Sequence, residues 1–230
     1  MTQQIIKKTR EELLAMVELA KAGEPQDFSY QDLSHLTWSN SYTKGSIFRG
    51  TNLTKANFRS TNLTDCDLSG ANLENAILWD SILIRTNLTG ANLTECNLIL
   101  ALLGETNLTG ANLSGSNFLG ACIYPDCIWT NCNLEGAYYG YSTSENSEKV
   151  FMTKPPIVLE TEDEYKSGLY RVMIFDRYIK IGCQVHTYKE WLEMTEDKIE
   201  ELDADYGEFL YETYRSEIIQ LANQHGCSKD

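Results

Sequence analysis

The sequence predicts a mainly β chain: a solenoid of four-cornered coils, closed at its N-terminal end by one helix and followed by a small α+β module. Three observations predict it. From Phe48 to Ile128 every fifth residue, seventeen in all, is Leu, Phe or Ile, and two residues before each stands a small side chain in sixteen cases, Asp126 being the exception. Residues five apart lie about 140° apart around a helix and on opposite faces of a strand, so neither element buries all seventeen together. A backbone that turns a corner every five residues does. Second, Gly50, Gly70, Gly90 and Gly110 recur every twenty residues, as do Asn52, Asn72, Asn92 and Asn112, so four pentapeptides make one coil of square cross-section. Third, the apolar layer is continuous; one coil cannot bury its own layer, but a stack at roughly 4.8 Å per coil can, giving a rod about 25 Å long.

In chain order, the first element is a helix over 10–22. Thr9-x-x-Glu12 is a capping-box pattern ahead of Leu13, Leu14, Met16, Val17 and Ala20, and Gly23 with Pro25 is its stop. Phe28, Leu33 and Trp38 already keep the five-residue register, although Gln26, Gln31 and Leu36 stand where small residues belong. This is a degenerate first coil covered by the helix, since a bare end would expose strand edges and invite end-to-end association. After Ile128 the next inward candidates, Leu134 and Tyr139, fall six and eleven residues on, which breaks the register there, and Trp129, Tyr138, Tyr139 and Tyr141 supply a lid.

The chain then divides as 1–27 capping helix, 28–141 repeat rod, 142–156 linker and 157–230 α+β module. In the last, Ile157–Leu159 and Leu169–Phe175 read as strands. Tyr178-Ile-Lys-Ile-Gly-Cys-Gln-Val alternates as another, with Asp176-Arg177 as a turn. Thr187-x-x-Glu190 opens a short helix, Thr195 a second acidic one through Leu202, and a longer helix runs from about 206 to 224 with Gly226 as its stop.

The Ala-Asn-Leu triplets at 71–73, 91–93 and 111–113 resemble the A(D/N)LXX motif of the pentapeptide-repeat proteins over about half the chain. That resemblance implies a right-handed quadrilateral β-helix, with the central residue and the small residue two before it inward. It implies little about activity, although one subgroup of the family protects bacterial type II topoisomerases by imitating duplex DNA. The run Ile-Gly-Cys-Gln-x-His-x-x-x-Glu-Trp at 181–191 is similar to a segment at the C-termini of phage and prophage members.

Seven cysteines, an odd number, and no apolar run of signal-peptide or spanning length point to a reduced cytoplasmic protein that does not engage a membrane. The net charge of −14, of which residues 46–140 carry −4 and 141–230 carry −9, argues against direct contact with nucleic acid. No phosphate loop, serine elbow or HExxH motif occurs. Cys122, Cys127 and Cys132 follow the repeat period rather than the tighter spacing of zinc ligands. No catalytic, cofactor or metal site is expected.

The outward positions carry the functional signal. Stacking the coils aligns Trp79, Ile99 and Leu119 in one column and Ile82, Leu102 and Cys122 in the next, with Ile77, Ile84 and Leu100 alongside. An apolar stripe on a polar rod marks an interface. It is covered by the C-terminal module, by a second copy in a two-fold dimer, or by a foreign protein, the first two ranking ahead. The chain therefore reads as a non-catalytic protein-binding rod. The alternatives are a topoisomerase-interacting DNA mimic, opposed by Asn rather than Asp before ten of the central residues, and a ligand or enzyme site around Cys183, His186 and Tyr188.

Overall fold

The computed structural model describes residues 7–140, 149–161, 170–175, 178–181, 184–193 and 207–226. From Asp27 onward, parallel bridges link residues twenty apart, as in the series Asp32, Asn52, Asn72, Asn92, Asn112. The backbone bonds run along the stack. Leu53 N donates to Asn72 O at 2.7 Å, Lys55 N to Glu74 O at 2.9 Å and Asn72 N to Thr51 O at 3.0 Å. Most corners are four-residue turns closed by a bond such as Ala56 N to Leu53 O (2.9 Å), with the third residue at positive φ as a type II turn requires. Glycine meets that need without strain at Gly50 (φ +58), where an added Cβ would also stand 2.7 Å from the Tyr30 ring.

Inside, the central residues are fully buried. At the N-terminal end they are aromatic, with Phe28 stacked on Phe48 (5.1 Å) and Trp38 on Phe58 (5.6 Å). The small residues are buried beside them, and where they are polar they are satisfied. Thr51 Oγ1 donates to Phe28 O and Ser116 Oγ to Leu93 O, both at 2.7 Å, and Cys96 Sγ reaches Leu73 O at 2.9 Å. Ala, Ser, Thr and Cys therefore interchange at this position, because each is short and the polar ones find a nearby carbonyl, in the preceding coil for Thr51, Thr61, Thr86 and Ser116 and in its own turn for Ser81.

Helix α1, Arg10–Lys21, has the expected capping box and buries Leu13, Val17 and Ala20 in the same core. The first coil fits beneath it. Thr43 takes the central place and donates to Asn62 O at 3.1 Å, while buried Gln31 accepts from Lys8 N at 3.0 Å. Gln is tolerated there because the chain entering the helix supplies its partner.

The register breaks earlier than the period indicates. Strands β1 (Leu102–Leu103) and β2 (Cys122–Ile123) still pair twenty apart, but Asn107 bridges Ile128 and Asn112 bridges Asn133, twenty-one apart. One extra residue enters at Tyr124-Pro125-Asp126, where Asp126 Oδ1 accepts Glu105 N at 2.8 Å in place of the backbone carbonyl that the equivalent Arg85 N reaches at Gly104 O. Ile128 consequently faces out, 46% exposed, and Trp129, Leu134 and Tyr139 follow the inward track.

The rod then ends in a packed junction. Strand β3 (Tyr138–Tyr139) pairs antiparallel with β4 (Val150–Phe151), so part of the expected linker is a strand, and Val150 and Met152 are buried. Four antiparallel strands follow in sequence order: β5 (Ile157–Thr161), β6 (Tyr170–Ile174), β7 (Tyr178–Ile181) and β8 (Gln184–Thr187). The alternating run at 178–185 thus falls in two strands, with Ile181 opposite Gln184, rather than one. Alternation sends Met173 and Phe175 toward the rod, where Phe175 lies 4.9 Å from the Tyr139 ring. Val172 and Ile174 face the other way, onto α2 (Tyr188–Glu193) and α3 (Gly207–His225) through Tyr188, Trp191, Ile218 and Ala222. The Asp176-Arg177 turn, Cys183, Tyr141 and the helix expected at 195–202 lie outside the described residues.

Candidate interaction surface

The rod's outward residues divide by chemistry. Ahead of most central residues an Asn side chain accepts from the N–H two positions on, as Asn72 Oδ1 does from Glu74 N (3.2 Å) and Asn92 Oδ1 from Thr94 N (3.2 Å). The same Asn donates to the coil below. Asn52 Nδ2 reaches Asp32 Oδ1, Asn87 Nδ2 reaches Asp67 Oδ1 and Asn92 Nδ2 reaches Asn72 Oδ1, at 3.0, 3.1 and 3.0 Å. An ionised Asp can only accept, so it suits the bottom of a ladder, where Asp32 stands, and Asn suits every rung above.

Ile77, Ile82 and Leu102 occupy ladder positions and forgo both bonds. Each replaces a satisfied Asn by an apolar side chain, at a loss of about 1 kcal/mol per hydrogen bond. With Trp79, Ile84, Ile99 and Leu100 they form the stripe, on the columns headed by Trp38 and Thr43. Ile77 is 36% and Leu100 44% exposed, and the others are half-buried. Leu119 departs from the expectation: at 7% exposure it is a buried residue, lying in the coil directly beneath Tyr138–Gly140 at the closed end of the rod. Arg59 stacks over the Trp79 ring at 4.2 Å. Beyond Ile84 the adjoining corner is a charge ladder, with Arg85 bonded to Asp65 at 2.7 Å and 3.9 Å from Glu105.

A groove of about 540 Å³ adjoins the stripe at Ile82, lined by Lys21, Tyr42, Ser60 and Asp80. Its charges are already engaged, Lys21 with Glu18 and Asp80 with Ser60 Oγ, both within 3.0 Å. The groove is an extension of the stripe rather than a charged site.

The cysteines are structural where described. Burial pushes the Cys66 and Cys96 thiols up to about 12 and raises Cys127 and Cys132. Cys127 and Cys132 occupy small-residue positions, while Cys122 sits on the outward column beside Leu102. Among the described residues no three metal-binding side chains gather, and no helix is long and apolar enough to cross a membrane. In the C-terminal module, Tyr188 is buried and its hydroxyl donates to Asn223 Oδ1 at 3.0 Å, tying α2 to α3. That bond gives Tyr188 a packing role. The backbone of His186 lies in β8 opposite Ile179.

The family profile described as Pentapeptide repeats matches in eight copies over residues 27–65, 66–104 and 91–124. Among solved structures, a pentapeptide repeat protein of the Arabidopsis thaliana thylakoid lumen is 32% identical, covering 44% of this chain and 67% of its own, with a TM-score of 0.32. Rfr23 from the cyanobacterium Cyanothece 51142 is 21% identical over 57% of this chain and 95% of its own (TM-score 0.28). QnrB1, a plasmid-mediated fluoroquinolone resistance protein, is 21% identical over 48% and 61% (TM-score 0.28). Comparison with curated proteins gives no match. With its eight copies of the repeat, the chain belongs to the pentapeptide-repeat family, whose fold is a right-handed β-helix.

Proposed function

We propose that the protein is a non-catalytic binding protein: a rigid four-sided rod, carrying a small α+β module at one end, that presents its apolar stripe to another protein chain. The observation that carries this reading is the substitution of ladder Asn by Ile77, Ile82 and Leu102 on adjoining columns, where the fold itself favours Asn. Among the described residues, the C-terminal module meets the rod at its end, through Tyr139 and Phe175. A partner on the stripe meets side chains only, because the backbone bonds of each coil run along the rod axis to the next. DNA mimicry is the weaker reading: the ladder selects Asn for its donor, and four basic against eight acidic residues over 46–140 make a poor copy of a polymer with one charge per roughly 1.7 Å.

The test is co-purification. The tagged wild type and a Trp79→Asp/Leu102→Asp variant are compared as bait, in cells that also express an untagged copy of the chain. A protein, foreign or the untagged copy, retained by the wild type and lost from the variant supports the reading. Equal retention by both contradicts it.

A further inference from the structure

We propose that the groove between the C-terminal end of α1 and the rod is a binding site for a neutral saccharide, a disaccharide or the end of a longer glycan laid along the rod axis. The groove shares Ile82 with the stripe, but its remaining chemistry differs and the proposal does not depend on the protein contact there.

The stack sets the floor of the groove. Tyr42, Asn62 and Ile82 bridge one another at successive coils, and Asn40, Ser60 and Asp80 hold the corner two residues before them, all at positive φ (+56, +53 and +57). Three coils at the inter-strand spacing make this array about 10 Å long. The corner column turns apolar one coil further on, at Leu100, so its polar part is confined to the groove. The chain leaving α1 makes the wall. Tyr42 N donates to Lys21 O at 3.3 Å, and Gly23 (φ +94) passes so close that an added Cβ would stand 3.2 Å from Tyr42 Cδ1. The ring is held at that edge, yet Tyr42 remains 49% exposed. The volume of about 540 Å³ falls within the range of roughly 300–1,000 Å³ usual for small-ligand sites.

Several of these groups await a partner. Asn52, Asn87 and Asn92 each donate to the residue twenty before them, but beneath Asn62 that place is held by Tyr42, a ring instead of an amide or carboxylate. Among the described residues, Asn62 Nδ2, the Asn40 amide and the Tyr42 hydroxyl bond nothing, while Asn62 Oδ1 serves Thr64 N. Asp80 takes the Ser60 proton on one oxygen and keeps the other as an acceptor. A sugar hydroxyl both donates and accepts, so it suits amides interleaved with a carboxylate, and the C–H face of a pyranose packs on an aromatic ring. A charged ligand fits less well. Lys21 and Asp80 offset each other and are each engaged, and the net charge of −14 repels phosphates. An extended peptide cannot join as a strand, because the coil bonds already run along the axis.

The experiment is saturation-transfer NMR on the full-length protein with cellobiose, maltose and N,N′-diacetylchitobiose, and with uridine and glucose 6-phosphate as the competing chemistries. Circular dichroism checks that each variant is folded. At least one disaccharide is expected to bind with a Kd of about 1 mM or tighter. Tyr42→Ala should weaken it at least tenfold, whereas Tyr42→Phe, which keeps the ring, should stay within about threefold; Asn62→Ala should cost about fivefold, the loss of one hydrogen bond. The Trp79→Asp/Leu102→Asp protein should bind the sugar as the wild type does. No transfer to any of the three disaccharides, equal binding by folded Tyr42→Ala, or tighter binding of uridine or glucose 6-phosphate would each overturn the proposal. None of those results bears on whether the stripe retains a protein, and loss of that protein from the stripe variant leaves the sugar site standing.

Discussion

Leu100 sits at a corner with φ +57 and is 44% exposed, so a bulky L-residue adopts a left-handed conformation in order to show an apolar side chain to water. Asn or Asp takes equivalent corners at Asn40, Asn75 and Asp80 with less strain. Leu100→Asn should therefore stabilise the isolated chain by about 0.5–1 kcal/mol in urea titration. No gain in stability would mean that the corner is relaxed and the side chain incidental. The ladder makes the opposite prediction. Asn92→Asp keeps the acceptor for Thr94 N but loses the donor to Asn72, and should lower stability by about 1 kcal/mol at neutral pH, read as a reduced midpoint in urea. The thiols give a pH dependence. With Cys66 and Cys96 raised by burial to about 12 in the fold and near 8.5 in the unfolded chain, the folded state favours the protonated form. Their contribution is complete below the unfolded value and is lost as pH rises toward the folded one, so stability falls across this alkaline range. Cys96→Ala should flatten part of that fall, and neither thiol should react with iodoacetamide at pH 8 while the protein is native.

At the scale of elements, the two ends of the rod need different covers. Helix α1 buries Leu13, Val17 and Ala20 over the first coil, and its capping box joins Thr9 and Glu12 through three bonds. Val17→Asp would place an unpaired carboxylate in the core, lift the helix and expose a coil edge; light scattering should show association that the wild type lacks. If the variant stays monodisperse, the helix is not a cap. These elements also mark how far the sequence was legible. The inward track from Phe48 to Ile123 could be read because one side-chain size recurs at one interval, and the helix because its cap and its apolar face agree. The slip at Tyr124–Asp126 was hidden because Ile128, although it faces out, happens to keep the apolar period. The β7–β8 hairpin was hidden because alternation runs unbroken through Gly182-Cys183. In the candidate surface, seven of the eight expected residues lie exposed or half-buried on adjoining columns, whereas Leu119 is closed over by the last coil, which no local pattern encodes. The reason for Asn was equally invisible, since it lies in bonds between residues twenty apart.

At the scale of the molecule, a rod with its axial hydrogen bonds complete, one end under a helix and the other against a sheet, offers partners only its sides. Two columns of those sides are apolar at their middle. The protein should therefore leave gyrase supercoiling unchanged; inhibition or protection in that assay would return DNA mimicry to first place. The central claim is that the stripe is covered by another protein chain, and hydroxyl-radical footprinting of the full-length protein tests it most directly. Between the purified protein alone and the same protein mixed with the chain it retains in co-purification, Trp79, Ile82 and Leu102 should become protected, while Ile128 and Phe151, exposed outside the stripe, should label equally. Uniform labelling of all five with and without that chain would contradict the account.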